Sequence, residues 1–237
     1  MIYPRPITTL HQIEMTSICN LRCGYCTWPT MPRPKMHMTR ETYMKAIGWV
    51  RHFVRKGTQG ELNLAGIGES TLHPNFVEFV GIAREAVGPD IPIVLATNGL
   101  AMTDAMARAL VPYNTRIWVS LHRPEKAGPA IEILKRHGLL NGVSADPSIA
   151  SIDWAGQVEY HVSAPPSVCD WLKTGWAMVM ADGRIATCCL DATGAGVVGT
   201  VDDDPDSIRI QPYDLCRGCH MVPPPEEAAK ELEVSHA

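Results

Sequence analysis

Cys19, Cys23 and Cys26 are spaced C-x3-C-x2-C in the run Cys19-Asn20-Leu21-Arg22-Cys23-Gly24-Tyr25-Cys26. Three thiolates on one tight loop can hold three irons of a cubic [4Fe–4S] cluster. A cluster that only relays electrons is closed by four cysteines. A loop that supplies three leaves one iron with an open position for a small ligand. Structural zinc asks for four ligands, usually as paired C-x2-C units, and isolated buried cysteines behave as small hydrophobes. Three cysteines within eight residues, with a three-residue gap, fit the open cluster better than either alternative.

Two further constellations carry chemistry. The turn Gly66-Ile67-Gly68-Glu69-Ser70 follows a strand-like run and leads into Thr71-Leu72-His73-Pro74. Glycines there allow close approach of the backbone to a ligand. Five cysteines remain near the C-terminus: Cys169, Cys188, Cys189 and the C-x2-C pair Cys216 and Cys219. A set of four cysteines closes either a [4Fe–4S] cluster or a structural zinc site, and spacing alone does not separate the two.

With the aromatic Tyr25 before its third cysteine, the first loop resembles the signature of the radical S-adenosylmethionine (SAM) enzymes. Gly66 to Glu69 resembles their Gly-Gly-Glu-Pro segment in a looser Gly-x-Gly-Glu form, with Ser70 where the family more often has proline. The resemblance implies that the open iron chelates the amino and carboxylate groups of SAM, which is cleaved reductively to a 5′-deoxyadenosyl radical. It implies that Gly66, Gly68, Glu69 and Ser70 surround the SAM ammonium. Asn98 and Ser120, at later strand ends, would bond the SAM carboxylate or ribose, and Tyr25 would touch adenine through its backbone. Asn98-Gly99 is also a favoured turn in its own right.

The C-terminal cysteines resemble the twitch domain, a shortened SPASM domain. That likeness implies an auxiliary [4Fe–4S] cluster on Cys169, Cys188, Cys216 and Cys219, with Cys189 a small buried hydrophobe. In size and cysteine layout the chain is most similar to the butirosin-type aminocyclitol (2-deoxy-scyllo-inosamine) dehydrogenases. The implied activity is an oxidoreductase acting on a small hydroxylated substrate. A base takes the hydroxyl proton and the auxiliary cluster takes an electron. His122, Arg123, Asp146 and Asp153 are the candidates for that base. The implied reductant is a flavodoxin- or ferredoxin-type protein. Alternatives are a peptide-modifying maturase that forms a crosslink or epimer, a molybdopterin-precursor cyclase, and a non-catalytic zinc- or cluster-stabilised binding protein.

These residues need elements to position them. Strand-like runs at Gln12–Ile18, Glu61–Ala65, Ile91–Ala96 and Arg116–Leu121 alternate with helical patterns. The helices run from the Thr39 cap to about Lys56, over Pro74–Val87, from the Thr103 cap to Leu110, and over Glu125–His137. Such alternation predicts an α/β fold with parallel strands and crossover helices. The ligand then sits at the carboxyl ends of the strands, where the Cys loop and the Gly-rich turn fall. The resemblance implies a truncated (β/α) partial TIM barrel of about five strands over 1–150. A twitch domain over 151–222, built from a β-hairpin and a short helix, and a tail over 223–237 would follow. Trp154, Val158, Tyr160 and Val162 read as extended chain.

With 237 residues and 46% hydrophobic content, the chain can fill a real core. A net charge of −4 and the absence of a basic block argue against nucleic acid and anionic membrane surfaces as partners. There is no run of eighteen apolar residues to span a bilayer and no secretory apolar segment at the start. Eight cysteines in such a chain point to metal ligands in a reducing, cytoplasmic compartment.

Overall fold

A computed structural model describes residues 3–144, 154–159, 167–219 and 221–222. The Thr39 hydroxyl accepts the Thr42 N–H and opens α1 (Arg40–Arg55). The helix stops at Lys56, and Gly57 follows in the left-handed region at φ 69°. Tyr43, Ile47 and Val50 form its buried face, with Val54 half-buried at the edge. Thr103 caps α3 (Asp104–Leu110) in the same way.

Other boundaries move for identifiable reasons. β2 (Thr9–Ile13) ends before the expected Ile18. Glu14 still donates its N–H to the Val179 carbonyl, but past it the chain leaves the ladder, and Ser17 donates to Pro34 and exchanges hydrogen bonds with Met36 instead. β3 (Leu62–Asn63) is cut short where the Asn63 side chain accepts the Ala65 N–H. α2 (Phe76–Val87) starts two residues late, because a 3-10 turn at Ser70–Leu72 and the Asn75 N–H to His73 Nδ1 bond occupy its expected beginning. β4 (Ile93–Thr97), β5 (Thr115–Val119) and α4 (Pro124–Arg136) shift by one or two residues.

After β6 (Leu140–Val143) come β7 (Ser167–Val168), α5 (Asp170–Thr174), β8 (Trp176–Val179) and β9 (Arg184–Ala186). β10 (Val197–Thr200), β11 (Arg209–Ile210) and β12 (Met221–Val222) complete the described strands, with β1 (Arg5–Pro6) at the start. One sheet of eight strands runs in the order β10-β9-β8-β2-β3-β4-β5-β6. The six strands from β8 to β6 are parallel, and β9 and β10 extend the β8 edge antiparallel.

The sequence pattern suggests about five parallel strands, and β8 is a sixth. Among the described residues between β6 and β8 the helix is the five-residue α5, too short to register as a crossover helix. The Asp182-Gly183 hairpin joins β8 to β9, and β8 pairs with β2, so the C-terminal hairpin belongs to the main sheet. Two small pairs, β1 with β11 and β7 with β12, lie outside that sheet.

Buried residues of α1 to α4 form one apolar core with the strands. The other face of β4 and β5 presents Ala96, Arg116 and Trp118 as exposed residues, Trp118 at 42%. Trp118 lies over Gly142, where any Cβ would run into the indole. No helix among the described residues is long and apolar enough to cross a membrane.

Candidate active site at the strand ends

The Cys loop leaves β2 on a braced segment. Trp28 is buried, and its indole N–H donates to the Ser17 carbonyl at 2.7 Å. Two thiols of the loop accept backbone N–H groups, Cys19 from Leu21 and Cys26 from Trp28, each at 3.4 Å. Burial pushes the Cys19 and Cys26 thiols above their usual range. A bound cation reverses that penalty, since only the thiolate is a ligand. All eight cysteines are free thiols. Among the described residues, no three Cys, His, Asp or Glu side chains are gathered closely enough for a single metal ion. A multi-iron cluster takes one thiolate per iron and spreads its ligands more widely than one ion does. Three half-buried thiols on one loop, two of them hydrogen-bonded by N–H groups, fit that kind of group.

The Gly-x-Gly-Glu turn is locked to this loop. A Cβ on Gly68 would collide with the Thr16 carbonyl, and one on Gly66 with the Glu14 side chain. The space these glycines leave is therefore taken by the chain itself. The Glu69 N–H donates to the Ile18 carbonyl at 2.8 Å, directly before Cys19. The Glu69 carboxylate is 4% exposed and accepts from the Thr71 N–H, the Thr71 and Thr97 hydroxyls and the Asn98 N–H. Ser70 is buried and donates to the Leu64 carbonyl. The Asn98 side chain donates to Asn20, inside the Cys loop, at 2.7 Å. Ser120, half-buried at the end of β5, donates its N–H to the Thr97 carbonyl. Glu69 and Asn98 thus draw three strand ends onto the first cysteines.

Tyr25 connects further. Its hydroxyl lies 2.8 Å from His122 Nδ1, and its carbonyl accepts the Trp154 indole N–H at 3.0 Å. Burial lowers the His122 pKa below the usual histidine value, which favours the neutral ring. Arg123 is exposed at the head of α4. Asp146 and Asp153 lie outside the described residues, as do Tyr160 and Val162. Trp154 is not extended. It and Ala155 both take positive φ, 56° and 59°, in a tight turn.

A second site forms around the later cysteines. Cys169, Cys188, Cys216 and Cys219 line one pocket together with Ala155 and Trp171. Backbone N–H groups serve the sulfurs here too, Leu190 to Cys188 and Met221 to Cys219, each at 3.4 Å. Burial raises the Cys169 thiol to about 11 and also raises Cys216. A hydrogen bond with Cys189, and then burial, raises Cys188. Cys189 packs instead beside Met178, Met180 and Ala186. The chemistry of four thiols converging on one enclosed space fits a closed cluster.

Residues 154–157 span the two sites. Trp154 packs with Cys19 and Cys26 in a small apolar cluster that includes Trp28, Ile67 and Ala192. Gln157 bonds to the Leu190 carbonyl and to the Ala192 N–H, just past Cys188. Sequence reasoning misses this strap, and it misses Glu14 and Arg33, which join the two sites from beneath. A lone carboxylate inside the apolar run ahead of Cys19 is the available signal, since a buried charge needs a partner.

A family model described as the Radical SAM superfamily matches residues 13–165. Among curated relatives, a tungsten-containing aldehyde ferredoxin oxidoreductase cofactor-modifying protein from Pyrococcus furiosus is 31% identical over 98 residues, covering 41% of this chain and 26% of that protein. A GTP 3′,8-cyclase from Haemophilus ducreyi is 35% identical over 95 residues, covering 40% of this chain and 27% of that protein. The matches thus span about a quarter of the length of these relatives. The crystal structure of BtrN in complex with AdoMet and 2-DOIA superposes with a TM-score of 0.69 at 17% identity, over 84% of this chain and 80% of that one. Native anSMEcpe with bound AdoMet gives 0.58 at 15% identity, over 83% and 79%. At such identities the likeness is one of fold.

Proposed function

The chain belongs to the Radical SAM superfamily, and we propose that within it this protein oxidises a small hydroxylated substrate. Cys19, Cys23 and Cys26 would hold the SAM-binding [4Fe–4S] cluster, and Cys169, Cys188, Cys216 and Cys219 an auxiliary one. When bound, these groups and SAM supply a hydrogen-abstracting 5′-deoxyadenosyl radical and an acceptor for the electron left on the substrate. The observation that carries this reading is the meeting of four cysteines, spread from 169 to 219, on one pocket. A closed cluster has no iron free for substrate and is suited to taking an electron.

The chain's own residues do the rest. Glu69 and Asn98 fix the strand ends around the first loop. On this reading Asn98 and Ser120 would bond the SAM carboxylate or ribose. Backbone oxygens of the turn over 66–70, whose side-chain space at the glycines the chain itself fills, would accept from the SAM ammonium. Among the described candidates His122 is the proton acceptor this reading prefers, because burial keeps its ring neutral. Arg123 is exposed at the head of α4, unlike the half-buried His122. Asp146 and Asp153 remain candidates. The sheet is taken as a truncated barrel over 1–150, with 151–222 as a twitch-type unit. The reductant is a flavodoxin- or ferredoxin-type protein, and the compartment is cytoplasmic.

A second reading has its own support. Curated relatives over part of the chain are named GTP 3′,8-cyclases. A cyclase of that kind keeps an open iron in its auxiliary cluster, whereas four cysteines lining one pocket support a closed one.

The deciding experiment measures 5′-deoxyadenosine from anaerobically reconstituted protein with SAM and dithionite. The assay is run against small-metabolite fractions, peptide fractions and GTP. Stimulation by a metabolite fraction, with formation of a carbonyl product, supports the oxidoreductase. Stimulation only by peptide supports a maturase, and stimulation only by GTP supports a cyclase.

A further inference from the structure

The four-cysteine pocket carries buried hydroxyls that nothing among the described residues satisfies. Thr187 lines it at 1% exposure, and its Oγ1 has no hydrogen-bond partner. Tyr213 lines it too, with its hydroxyl buried and equally unpartnered. That hydroxyl faces the Cys188 thiol. A third, the Tyr3 hydroxyl, is buried near Cys169 and Cys216. An unsatisfied buried hydroxyl is destabilising, and native structures rarely leave one without a reason. Two on one pocket, Thr187 and Tyr213, point to an acceptor held between the cysteines. The ring of Tyr213 is held in place by Gly196, where a Cβ would lie 2.5 Å from the phenol carbon. Around the first loop, by contrast, Thr27 beside Cys26 is the one such hydroxyl among the described residues.

We propose that Tyr213 and Thr187 donate hydrogen bonds to the sulfur atoms of the group held by Cys169, Cys188, Cys216 and Cys219, and thereby raise its reduction potential. The inference rests on reading that pocket as an iron–sulfur site. Ligating thiolates and bridging sulfides are acceptors only, so a hydroxyl facing them donates. Reduction adds negative charge to those sulfurs, and a hydrogen bond to a more negative acceptor is stronger. The donors therefore stabilise the reduced form and raise the potential, one of the recognised means by which proteins tune such clusters. The effect suits a group that must accept an electron. The pairing of a phenol and a threonine hydroxyl also divides the role between a residue that neighbours Cys188 in sequence and one that reaches it from another segment.

The test uses the full chain carrying Cys23→Ala, so that signals report the second site. Tyr213→Phe, Thr187→Val, Thr187→Ser and the Phe/Val double variant are reconstituted anaerobically and assayed for iron and sulfide. Each is then titrated electrochemically with EPR detection. The expected result is unchanged iron content with a more negative midpoint for Tyr213→Phe and Thr187→Val, largest in the double variant. Thr187→Ser should keep the parental value. A tenfold loss of reduced form at fixed potential, about 59 mV for one electron, is the size expected of the double variant. Intact iron with an unmoved midpoint overturns the proposal. If Tyr213→Phe loses iron, the Val and Ser variants at Thr187 decide by the same criterion. Zinc, or no iron, in the Cys23→Ala parent itself overturns the iron–sulfur reading instead.

Discussion

Glu14 and Arg33 form a two-pronged ion pair, at 2.9 and 3.2 Å, with Glu14 fully buried and Arg33 only 5% exposed. The other lone pairs of Glu14 accept the Ile67 and Ala181 N–H groups, both at 3.1 Å. Arg33 Nε donates to the Ala192 carbonyl, also at 3.1 Å. Two side chains thus fasten the end of β2, the segment after the first cysteines, the Gly-x-Gly-Glu turn, the β8–β9 hairpin and the loop past Cys188. The two cysteine sites hold their relative positions through this contact.

Removing one partner leaves a buried charge uncompensated, which costs about 3–5 kcal/mol. Arg33→Met and Glu14→Gln should each lower stability, Arg33→Met by the larger amount, in anaerobic urea denaturation. Arg33→Met combined with Glu14→Gln should recover part of the Arg33→Met loss, since no charge is then left unpaired and the amide oxygen still accepts an N–H. Single variants within about 0.5 kcal/mol of the parent, the range of ordinary surface substitutions, would show that the pair is not what holds these segments.

Gly68→Ala tests the contact between the turn and the Cys loop. Its Cβ meets backbone atoms of Thr16, Ser17 and Ile18, which cannot rotate away. Overpacking of this kind costs about 1–3 kcal/mol, and the displaced segment leads directly into Cys19. Both the melting temperature and the iron content of the first site should fall. Gly24→Ala is the control, since nothing lies within 4 Å of a Cβ there. Equal behaviour of the two variants would remove the close approach as the reason for Gly68.

The contrast between Gly24 and Gly68 also marks what is legible in the sequence. The Cys loop, the Gly-x-Gly-Glu turn and the Thr39 and Thr103 caps can be read because each depends on residues near one another in the chain. β8 cannot, since its pairing with β2 joins residues more than 160 positions apart. Gly66 and Gly68 read as openings for a ligand, yet what fills them is Glu14 and the Thr16–Ile18 backbone. The Trp154 strap is hidden for a related reason. An alternation of apolar residues suggests extended chain, while tertiary bonds to Tyr25 and Leu190 fix a left-handed turn.

That turn places Trp154, Ala155 and Gly156 in succession at φ 56°, 59° and 78°. A non-glycine residue in this region is disfavoured by about 1–2 kcal/mol. Ala155→Gly relieves the Cβ clash but frees the unfolded chain, so a net gain of up to about 1 kcal/mol is expected. Trp154→Ala should have the opposite sign, through the lost Tyr25 bond and the lost packing on the cluster of Trp28, Met31, Ile67 and Ala192. Thermal melts of both variants check the pair of signs. A destabilised Ala155→Gly would refute the strain.

Burial lowers the pKa of His11, His73 and His122 below 6.5. Below that value the unfolded chain binds protons that the folded chain does not yet take up. Stability is therefore fully present above about pH 6.5 and is lost as pH falls through the lowered folded values. Urea midpoints measured from pH 8 to pH 5 should decline on the acid side, and His122→Gln should flatten part of that decline. A parent curve level across this range would contradict the three lowered values together.

The two cysteine sites should fail differently. Cys23→Ala leaves the first loop with two thiols, too few for a three-iron attachment, while the pocket lined by Cys169, Cys188, Cys216 and Cys219 is untouched. SAM cleavage should fall to the background of the assay, with about half of the iron retained, since on the proposed reading the two clusters hold equal amounts. Cys216→Ala with Cys219→Ala removes the second pair and spares the first loop. Some 5′-deoxyadenosine should then still form, uncoupled from oxidised product. Product yield per 5′-deoxyadenosine, measured by chromatography under anaerobic conditions, separates the outcomes. SAM cleavage surviving Cys23→Ala would remove the first loop from the chemistry. An unchanged product ratio without Cys216 and Cys219 would remove the second site as electron acceptor.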